Sequence, residues 1–353
     1  MTLKGNWGGL RFILQVGVAV MCLILAFWGV DLKRVVEIVA GASPLLVALA
    51  CLSTLLMNMV KCLKLGLLLA PHRRVGYGTL LTAELVSVLV DVVFPLRLLE
   101  IVKAFIVGRR EGIRPSLVLG AEVVEKTVEV LFLTSVALTI WILVPTPAWA
   151  DLFIWISSVI IAVALGALLL FSIRPEVLER PVRWVSTLSL PGAVRVADML
   201  SGLTRGLSLA KGRPGTLGLV VLVTLVEWCF LAAALWLCAR AINIPLGTEQ
   251  LLGLLVANFI AFAVPTSTGG SVGIYELTGK WALVTIFGMD PTQALVLVLL
   301  FHGVMVGFGA LNGAVALALS RFTFGGVREA MHDPELMEKL EAPESYEDET
   351  RSQ

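Results

Sequence analysis

The chain has 353 residues, 58% of them apolar and 15% charged, and its mean hydropathy is +0.93. Soluble domains are about half apolar and about a quarter charged, so this composition excludes an ordinary soluble protein and predicts an all-α polytopic membrane protein. The net charge of +1 is unevenly distributed, because residues 329–353 carry nine acidic and two basic residues and the remainder is basic. We therefore expect a membrane domain, residues 1–328, followed by a disordered acidic tail in the cytoplasm.

Six apolar runs are close to or longer than the roughly 20 residues that a helix needs to cross a bilayer. They predict six full spans at about residues 12–30, 44–68, 117–144, 152–173, 216–240 and 292–320. The first run lacks a small-residue cleavage site and is expected to remain as an uncleaved span. The five cysteines form no CxxC motif and no cluster with histidine, so we expect free thiols, no disulfide and no metal.

Two further places hold short apolar pieces with a break between them. Residues 79–95 and 97–108 are broken at Pro95, and residues 250–264 and 274–288 are broken by the stretch AVPTSTGGSVGIYE. Pieces of this length favour re-entrant helical hairpins, which return to the side of the membrane where they began. For the first pair, the alternative is one short full span followed by an interfacial helix.

The distribution of lysine and arginine predicts the orientation, since cytoplasmic loops are rich in both. Segments 61–78 and 174–215 are basic and are assigned to the inside. Loop 31–43 has balanced charge, and loops 145–151 and 241–249 carry no base, so these three are assigned to the outside. We therefore expect both termini to lie in the cytoplasm. Segment 174–215 is then a cytoplasmic linker or an amphipathic helix on the inner leaflet. The bases assigned to the first inner loop are Lys61, Lys64, Arg73 and Arg74.

The two breaks are followed by similar sequences, which indicates an internal repeat. EIVKAFIVGRREGIRPS begins at Glu100 and ELTGKWALVTIFGMDPT begins at Glu276, and their glycine, proline and hydroxyl residues match at a constant offset of 176. The repeats cover about residues 12–144 and 152–320. Each crosses the membrane an odd number of times, so the second is predicted to be inverted relative to the first. Inverted repeats with broken helices are a common transporter architecture, and the breaks point to the binding site.

The first break carries charge. Arg97, Glu100 and Lys103 lie where an unpaired charge is costly, so they are expected to line a cavity or to pair with each other. One interpretation is a cationic site for a phosphate, because the planar guanidinium of Arg97 suits two phosphate oxygens. The other is a structural pair between Arg97 and Glu100 on one helical face.

The span after the first break holds a polar stripe. Glu122, Glu125, Lys126 and Glu129 recur at spacings of three and four residues on an otherwise apolar helix. Pairing within the helix would neutralise part of this stripe. In the repeat Lys126 aligns with His302, which predicts a cationic or titratable group at the same depth in each half. A histidine considered alone is more typical of a packed, hydrogen-bonded side chain.

The second break offers backbone and hydroxyl groups rather than charge. Its glycines allow unusual dihedral angles, and a helix beginning near Val272 would point N–H groups and the positive end of its dipole at the break. This arrangement favours an anion, and a simple hinge is the alternative. The candidate binding residues here are Pro265, Ser267, Thr268, Gly269, Gly270, Ser271, Gly273 and Glu276.

Motifs of the common enzyme classes are absent from the sequence, which contains no GxSxG, HExxH or Walker A lysine pattern. No feature of the sequence favours binding to nucleic acid. We therefore expect a protein that is not an enzyme, with no catalytic residues and no cofactor.

Two stretches, FPLRLLEIVKAFIVGRREGI and VPTSTGGSVGIYE, resemble the signature regions of the lysylphosphatidylglycerol synthase transmembrane-region family of flippase-like membrane proteins. Pro95, Arg97 and Glu100 match its Pro-x-Arg-x-Gly-Glu signature, with Leu99 in place of the glycine. Val123, Val124, Glu125 and Lys126 match its Val-Val-Glu-Arg element, with lysine for arginine. Its second signature, Pro-x-Ser-x-Gly-Gly-x-Gly-x-x-Glu, is met from Pro265 to Glu276 with small differences in spacing.

The resemblance implies movement of an anionic, aminoacylated or isoprenoid/hopanoid-type lipid between leaflets. The bifunctional members also carry a soluble acyltransferase-like synthase domain, which we do not expect here. Our main hypothesis is a lipid flippase of the bacterial inner membrane. In it, Arg97, Lys103 and Lys126 neutralise a headgroup phosphate. The carboxylates expected to orient these bases or to bind an ammonium are Glu100, Glu125 and Glu276. The alternatives are a non-catalytic membrane partner of a separate lipid-modifying enzyme and a small-solute or ion-coupled transporter, and homo-oligomers are compatible with each.

Overall fold

The computed structural model describes residues 5–93, 99–143, 159, 214–263 and 269–320, and within these every regular element is a helix. The first half contains α1 (Gly5–Phe27), α2 (Leu32–Ala40), α3 (Pro44–Leu69), α4 (Tyr77–Val93), α5 (Leu99–Glu111) and α6 (Pro115–Leu143). The second half contains α7 (Pro214–Ala241), α8 (Thr248–Ala263), α9 (Ile274–Trp281), α10 (Pro291–His302) and α11 (Gly309–Leu319). A 3₁₀ turn at Gly269–Ser271 precedes α9, and π-helical turns at Ala282–Ile286 and Gly303–Phe308 follow α9 and α10.

Local sequence explains where several helices begin. The carboxylate of Asp31 accepts hydrogen bonds from the first N–H groups of α2, and the carboxylate of Asp290 accepts one from Gln293 N–H at 3.0 Å in α10. Pro291 occupies the first turn of α10, where its missing N–H costs nothing. Such side-chain caps satisfy donors that the helix itself cannot pair.

Three described segments are long and apolar enough to cross a membrane, namely Pro44–Leu69, Gly215–Ala241 and Pro291–Leu319. A fourth crossing results if Val16–Phe27 and Leu32–Ala40, which meet at a bend of 84°, form one span. Helix α6 has 29 residues but carries charged side chains in its first half. The apolar run at 152–173 lies outside the described residues, apart from residue 159. A multi-pass helical membrane protein is therefore supported, whereas the count of six spans stays a prediction.

The structure corrects two assignments made for loops. Residues 31–43, predicted as an outer loop, contain helix α2, which begins at a sharp bend after α1. Lys61 and Lys64, predicted to lie in a basic inner loop, belong to helix α3, and Lys64 is completely buried. The hydrophobic run of α3 extends past both lysines to Leu69, which keeps them within the helix. They therefore give no support to the predicted orientation.

Helices α4 and α5 pack against each other on the two sides of the first break. Gly76, just before α4, lies beside the carboxylate of Glu111, the last residue of α5. The chain thus returns to the end of the bundle from which α4 started, as a re-entrant hairpin requires.

Helices α8 and α9 form the corresponding pair around the second break. Before α8, the carbonyl oxygen of Ala241 accepts a hydrogen bond from Ser43 N–H at 2.8 Å. After α9, the hydroxyl of Thr292 accepts one from Asp31 N–H at 3.2 Å. Residues 31 and 43 are joined by the short helix α2, so this pair also begins and ends at one end of the bundle. Because helix α3 separates Ser43 from Gly76, the two pairs open toward opposite ends.

The short repeat after each break has the same local structure in both halves. Gly112 and Gly288, which are 176 residues apart, both have positive φ, 64° and 66°. Helices α6 and α10 then begin at Pro115 and Pro291. The match extends from sequence to backbone over this segment, and inverted symmetry of the complete halves stays a prediction.

Candidate functional site

A cavity of about 420 Å³ lies among helices α3 to α10 and the 3₁₀ turn of the second break. Its charged lining residues come mainly from α3 to α6, and they are Lys61, Glu84, Asp91, Glu100, Lys126, Glu129 and Glu227. Its aromatic lining residues come from α7 to α10, and they are Trp228, Phe259, Phe262, Tyr275 and Phe301. The two halves of the chain therefore contribute different chemistry to one space.

Several polar groups that line this cavity have no hydrogen-bond partner among the described residues. They are the indole N–H of Trp228, both amide atoms of Asn258 and the hydroxyl of Tyr275. Buried polar groups in native proteins are nearly always hydrogen-bonded, because each unpaired one costs roughly 1–3 kcal/mol. These atoms are themselves buried, and the residues that carry them form part of the cavity wall.

The charged lining is held by two groups of ion pairs. In the first, Lys103 Nζ of α5 lies 2.6 Å from Glu84 of α4 and 2.9 Å from Glu122 of α6, while Lys61 Nζ of α3 lies 2.8 Å from Glu84. Two lysines and two carboxylates thus neutralise each other across four helices. Such pairing lowers the cost of placing charge at membrane depth.

The second group is centred on Lys64. Its Nζ lies 3.1 Å from Glu125, 2.7 Å from Glu129 and 2.5 Å from Glu227, so one ammonium joins α3, α6 and α7. Lys126 Nζ contacts Glu129 at 3.0 Å, and the Lys126 side chain is 39% exposed. Lys126 is therefore the lysine of this group that is most accessible from the cavity.

The structure describes only part of the first break, where the sequence predicts a phosphate site. Pro95 and Arg97 lie outside the described residues, and Glu100 lines the cavity. Lys103 is buried between Glu84 and Glu122 and is not among the residues that line the cavity, and its expected contact with a headgroup stays a prediction. Burial beside two carboxylates gives Lys103 a structural role.

The polar stripe of α6 divides between the two groups. Lys126 pairs with Glu129 as an intrahelical pair, whereas Glu122 pairs with Lys103 of another helix. Glu125 is bound to Lys64 and does not line the cavity, so it is not positioned to touch a ligand directly. Lys126 keeps its expected place in the cavity lining.

The second break is closed by a contact between Glu276 and His302. Nδ1 of His302 is hydrogen-bonded to the carboxylate of Glu276, and Nε2 lies 2.8 Å from the carbonyl oxygen of Gly270. Since a carbonyl only accepts, Nε2 donates this bond. The ring also stacks on Tyr275, with the centroids 4.0 Å apart. His302 is thus a packed, fully partnered histidine that fixes the position of Gly270 in the cavity lining.

At the second break, where we expect an anion site, a carboxylate of the protein occupies part of the helix N-terminus. Helix α9 begins at Ile274, and the N–H of its capping residue Gly273 donates to Glu276 at 2.7 Å. The helix N-terminus is therefore already satisfied in part by a carboxylate of its own first turn. Gly270 lines the cavity, Ser271 is buried, and Gly269 lies in the 3₁₀ turn. The other expected residues, Pro265, Ser267 and Thr268, lie outside the described residues.

Sequence reasoning missed most of the ion-pair partners. Glu84, Glu227 and Lys64 are charged residues inside apolar runs. A charged residue at membrane depth is usually functional or paired with another charge. Lys64 was not recognised as a charge at membrane depth, because the sequence analysis assigned it to a loop. Asn258 carried the same kind of signal as a lone amide in α8.

Comparison with known proteins identifies a family for this chain. No curated protein and no solved structure matched the chain. The family described as "Lysylphosphatidylglycerol synthase TM region" matches residues 12–313, which include both breaks, the cavity lining and both groups of ion pairs. Because the match covers most of the sequence, the chain belongs to the lysylphosphatidylglycerol synthase transmembrane-region family.

Proposed function

We propose that this protein moves a membrane lipid between leaflets, with the lipid headgroup in the cavity lined by α3 to α10. The observation that carries the proposal is the set of unpartnered polar groups of Trp228, Asn258 and Tyr275, which are buried in the wall of the cavity. Native proteins seldom leave buried polar groups unpaired, and a polar ligand in the cavity beside them would supply partners. Membership of a membrane family connected with lipid supports the class of ligand.

The charges of the lining support a headgroup that carries both signs. Lys126 and Lys61 would bind a phosphate, and Glu100, Glu129 and Glu227 would bind an ammonium. Carboxylates outnumber lysines among the described lining residues. An aminoacylated or other amine-bearing lipid therefore fits better than a headgroup with phosphate alone. A purely anionic or isoprenoid-phosphate lipid would have to rely on Arg97 for additional positive charge.

The aromatic lining supports a place for the apolar part of the same molecule. Trp228 packs beside Phe259 with ring centroids 6.4 Å apart, and Phe262 packs beside Tyr275 at 5.2 Å. Aromatic side chains with a polar tip suit the boundary between a headgroup and a hydrocarbon chain. An amphiphile can thus contact both linings at once.

The two helix pairs support alternating access to this cavity. The α4–α5 pair and the α8–α9 pair begin at opposite ends of the bundle, and both contribute to the lining. In transporters with inverted repeats, rocking of one repeat against the other exposes a central site to each side in turn. We assign no catalytic role to any residue and place the protein in a bacterial inner membrane with cytoplasmic termini.

The test is leaflet exchange in liposomes that contain the purified full chain. Labelled phosphatidylglycerol, phosphatidylethanolamine and an aminoacylated phosphatidylglycerol are compared under the same conditions. The proposal expects faster exchange of at least one of them than in protein-free liposomes, with the amine-bearing lipids fastest. Exchange of none would reject a flippase, and uptake of a small amine without lipid movement would instead favour a solute transporter. Co-purification of a lipid-modifying enzyme by an inactive protein would favour the partner role.

A further inference from the structure

The two groups of ion pairs do not balance. In the part of the chain that the structure describes, four lysines contact five glutamates. The lysines are Lys61, Lys64, Lys103 and Lys126, and the glutamates are Glu84, Glu122, Glu125, Glu129 and Glu227. One carboxylate therefore has no lysine of its own.

The excess lies in the group centred on Lys64. Lys61 and Lys103 balance Glu84 and Glu122, whereas Lys64 and Lys126 face three carboxylates. Those three, Glu125, Glu129 and Glu227, are each at most 7% exposed. An uncompensated charge in this environment is costly, and carboxylates that share a site relieve the cost by keeping a proton.

One oxygen of this group lacks a donor. The Glu125 side chain is completely buried, and its Oε1 faces Lys64. Its Oε2 accepts no hydrogen bond and forms no ion pair with any described residue. A neutral carboxylic acid carries its own O–H donor, so a proton on one of the three carboxyl groups would remove the excess charge and supply a missing hydrogen bond.

We propose that Glu125, Glu129 and Glu227 around Lys64 form a proton-binding site that holds one exchangeable proton. The proton belongs to the group rather than to one residue, because the three carboxylates converge on one ammonium and titrate together. The other charged groups that face the site or share its cavity are Lys61 of α3, Glu84 and Asp91 of α4, Glu100 and Lys103 of α5, and Glu122 and Lys126 of α6. Four of them, Lys61, Glu84, Lys103 and Glu122, are held in the first group of ion pairs.

Exchange of the proton takes place through the cavity. Glu129 and Glu227 line the cavity, whereas Glu125 lies behind them against Lys64. When the proton leaves, one carboxylic O–H bond breaks and the proton passes to water in the cavity, without any change in oxidation state. The proton site itself does not depend on the proposed function, but its effect on lipid binding does. An ammonium of a lipid headgroup placed at Glu129 and Glu227 would replace the same positive charge, so binding would release a proton.

The site is tested by infrared spectroscopy on the detergent-solubilised full chain. We expect the wild-type protein to show the carbonyl band of a buried carboxylic acid at neutral pH, and to lose it at high pH. Glu125→Gln leaves four lysines and four glutamates, so this band should be lost. Lys64→Met enlarges the excess and should strengthen the band, a change opposite in sign that general damage would not produce. The exposed Glu37→Gln serves as the matched control and should leave the band unchanged.

The wild-type spectrum decides the matter even if a variant fails to fold. Absence of the carboxylic acid band at neutral pH overturns the proton site, and so does a band that persists unchanged in folded Glu125→Gln. Lipid exchange in liposomes of phosphatidylethanolamine and phosphatidylglycerol, with and without a pH gradient, separates this result from the proposed function. The expected band without any lipid exchange supports the proton site and rejects the flippase. Lipid exchange without the band rejects the proton site and supports the flippase.

Discussion

Nε2 of His302 donates a hydrogen bond to the carbonyl oxygen of Gly270 at 2.8 Å, while Nδ1 of the same ring contacts Glu276. One side chain of α10 therefore holds both the 3₁₀ turn within the second break and the helix that follows it. The first prediction concerns this contact. His302→Ala leaves the buried Glu276 without its partner, which costs about 3–5 kcal/mol when a buried pair is broken.

We expect His302→Ala to lower the thermal midpoint of unfolding and to abolish lipid exchange in the protein that remains folded. His72→Ala is the matched control, because His72 is exposed in the loop between α3 and α4. An unchanged rate of lipid exchange by folded His302→Ala would show that the second break does not need the contacts of His302 with Glu276 and Gly270.

The second prediction concerns the close approach of α1 to the second break. Gly273 has φ 93°, and a Cβ at this position would lie 2.5 Å from the carbonyl oxygen of Ala19. Gly273→Ala should therefore destabilise the fold by about 2 kcal/mol or more, since both strain and overlap oppose the methyl group. The control is Gly17→Ala. Gly17 lies on helix α1, as Ala19 does, but has open space around it, so this change should be neutral or slightly stabilising. Equal thermal midpoints for the two variants would contradict the contact.

The third prediction separates binding from stability at Asn258. Both of its amide atoms lack a partner among the described residues, so Asn258→Leu removes a desolvation cost and should leave stability equal or slightly higher. Exchange should fall at least tenfold if the amide binds the headgroup. Asn312→Leu is the matched control, because its amide nitrogen also lacks a partner in the described structure but does not line the cavity. Equal exchange by the two variants would remove Asn258 from the site.

The fourth prediction concerns Lys103, which is buried between Glu84 and Glu122. Lys103→Met leaves Glu84 and Glu122 without their shared base and should destabilise the protein by roughly 3–5 kcal/mol. Adding Glu122→Gln should recover part of this loss, because one uncompensated charge is removed. The readout is the thermal midpoint of each variant. Full stability of Lys103→Met would mean that the lysine is not buried in this pair.

The fifth prediction concerns the opposite orientation of the two helix pairs. Single cysteines are introduced into a cysteine-free variant at two exposed positions, Glu249 in the first turn of α8 and His72 before α4. A membrane-impermeant thiol reagent applied outside the cell should label the first and leave the second unlabelled. Labelling of both from the same side would rule out hairpins that open to opposite ends.

Sequence reasoning found the parts of this fold that depend on local pattern. Helical class, the positions of both breaks and the repeated segment around Gly112 and Gly288 follow from hydrophobic run length and from glycine and proline spacing. The family was recognised from the same stretches and is confirmed by the match over residues 12–313. These features do not require knowledge of which helices meet.

The site itself was predicted only in part, because its geometry depends on contacts between helices. Nothing in the sequence around Lys64 indicates that Glu227, more than 160 residues later, contacts the same ammonium. Similarly, the sequence placed Lys103 beside Arg97 and Glu100, whereas packing of α5 against α4 and α6 brings it to Glu84 and Glu122. A charge in an apolar run can be recognised from sequence, but its partner is determined by tertiary structure.

The central claim is that the cavity carries a lipid headgroup between leaflets, and lipid exchange in liposomes tests it most directly. Liposomes with the wild-type protein should move labelled aminoacylated phosphatidylglycerol between leaflets faster than protein-free liposomes, and Asn258→Leu should reduce this rate at least tenfold while Asn312→Leu does not. Exchange no faster than in protein-free liposomes for every lipid tested, with a folded wild-type protein, would contradict the account.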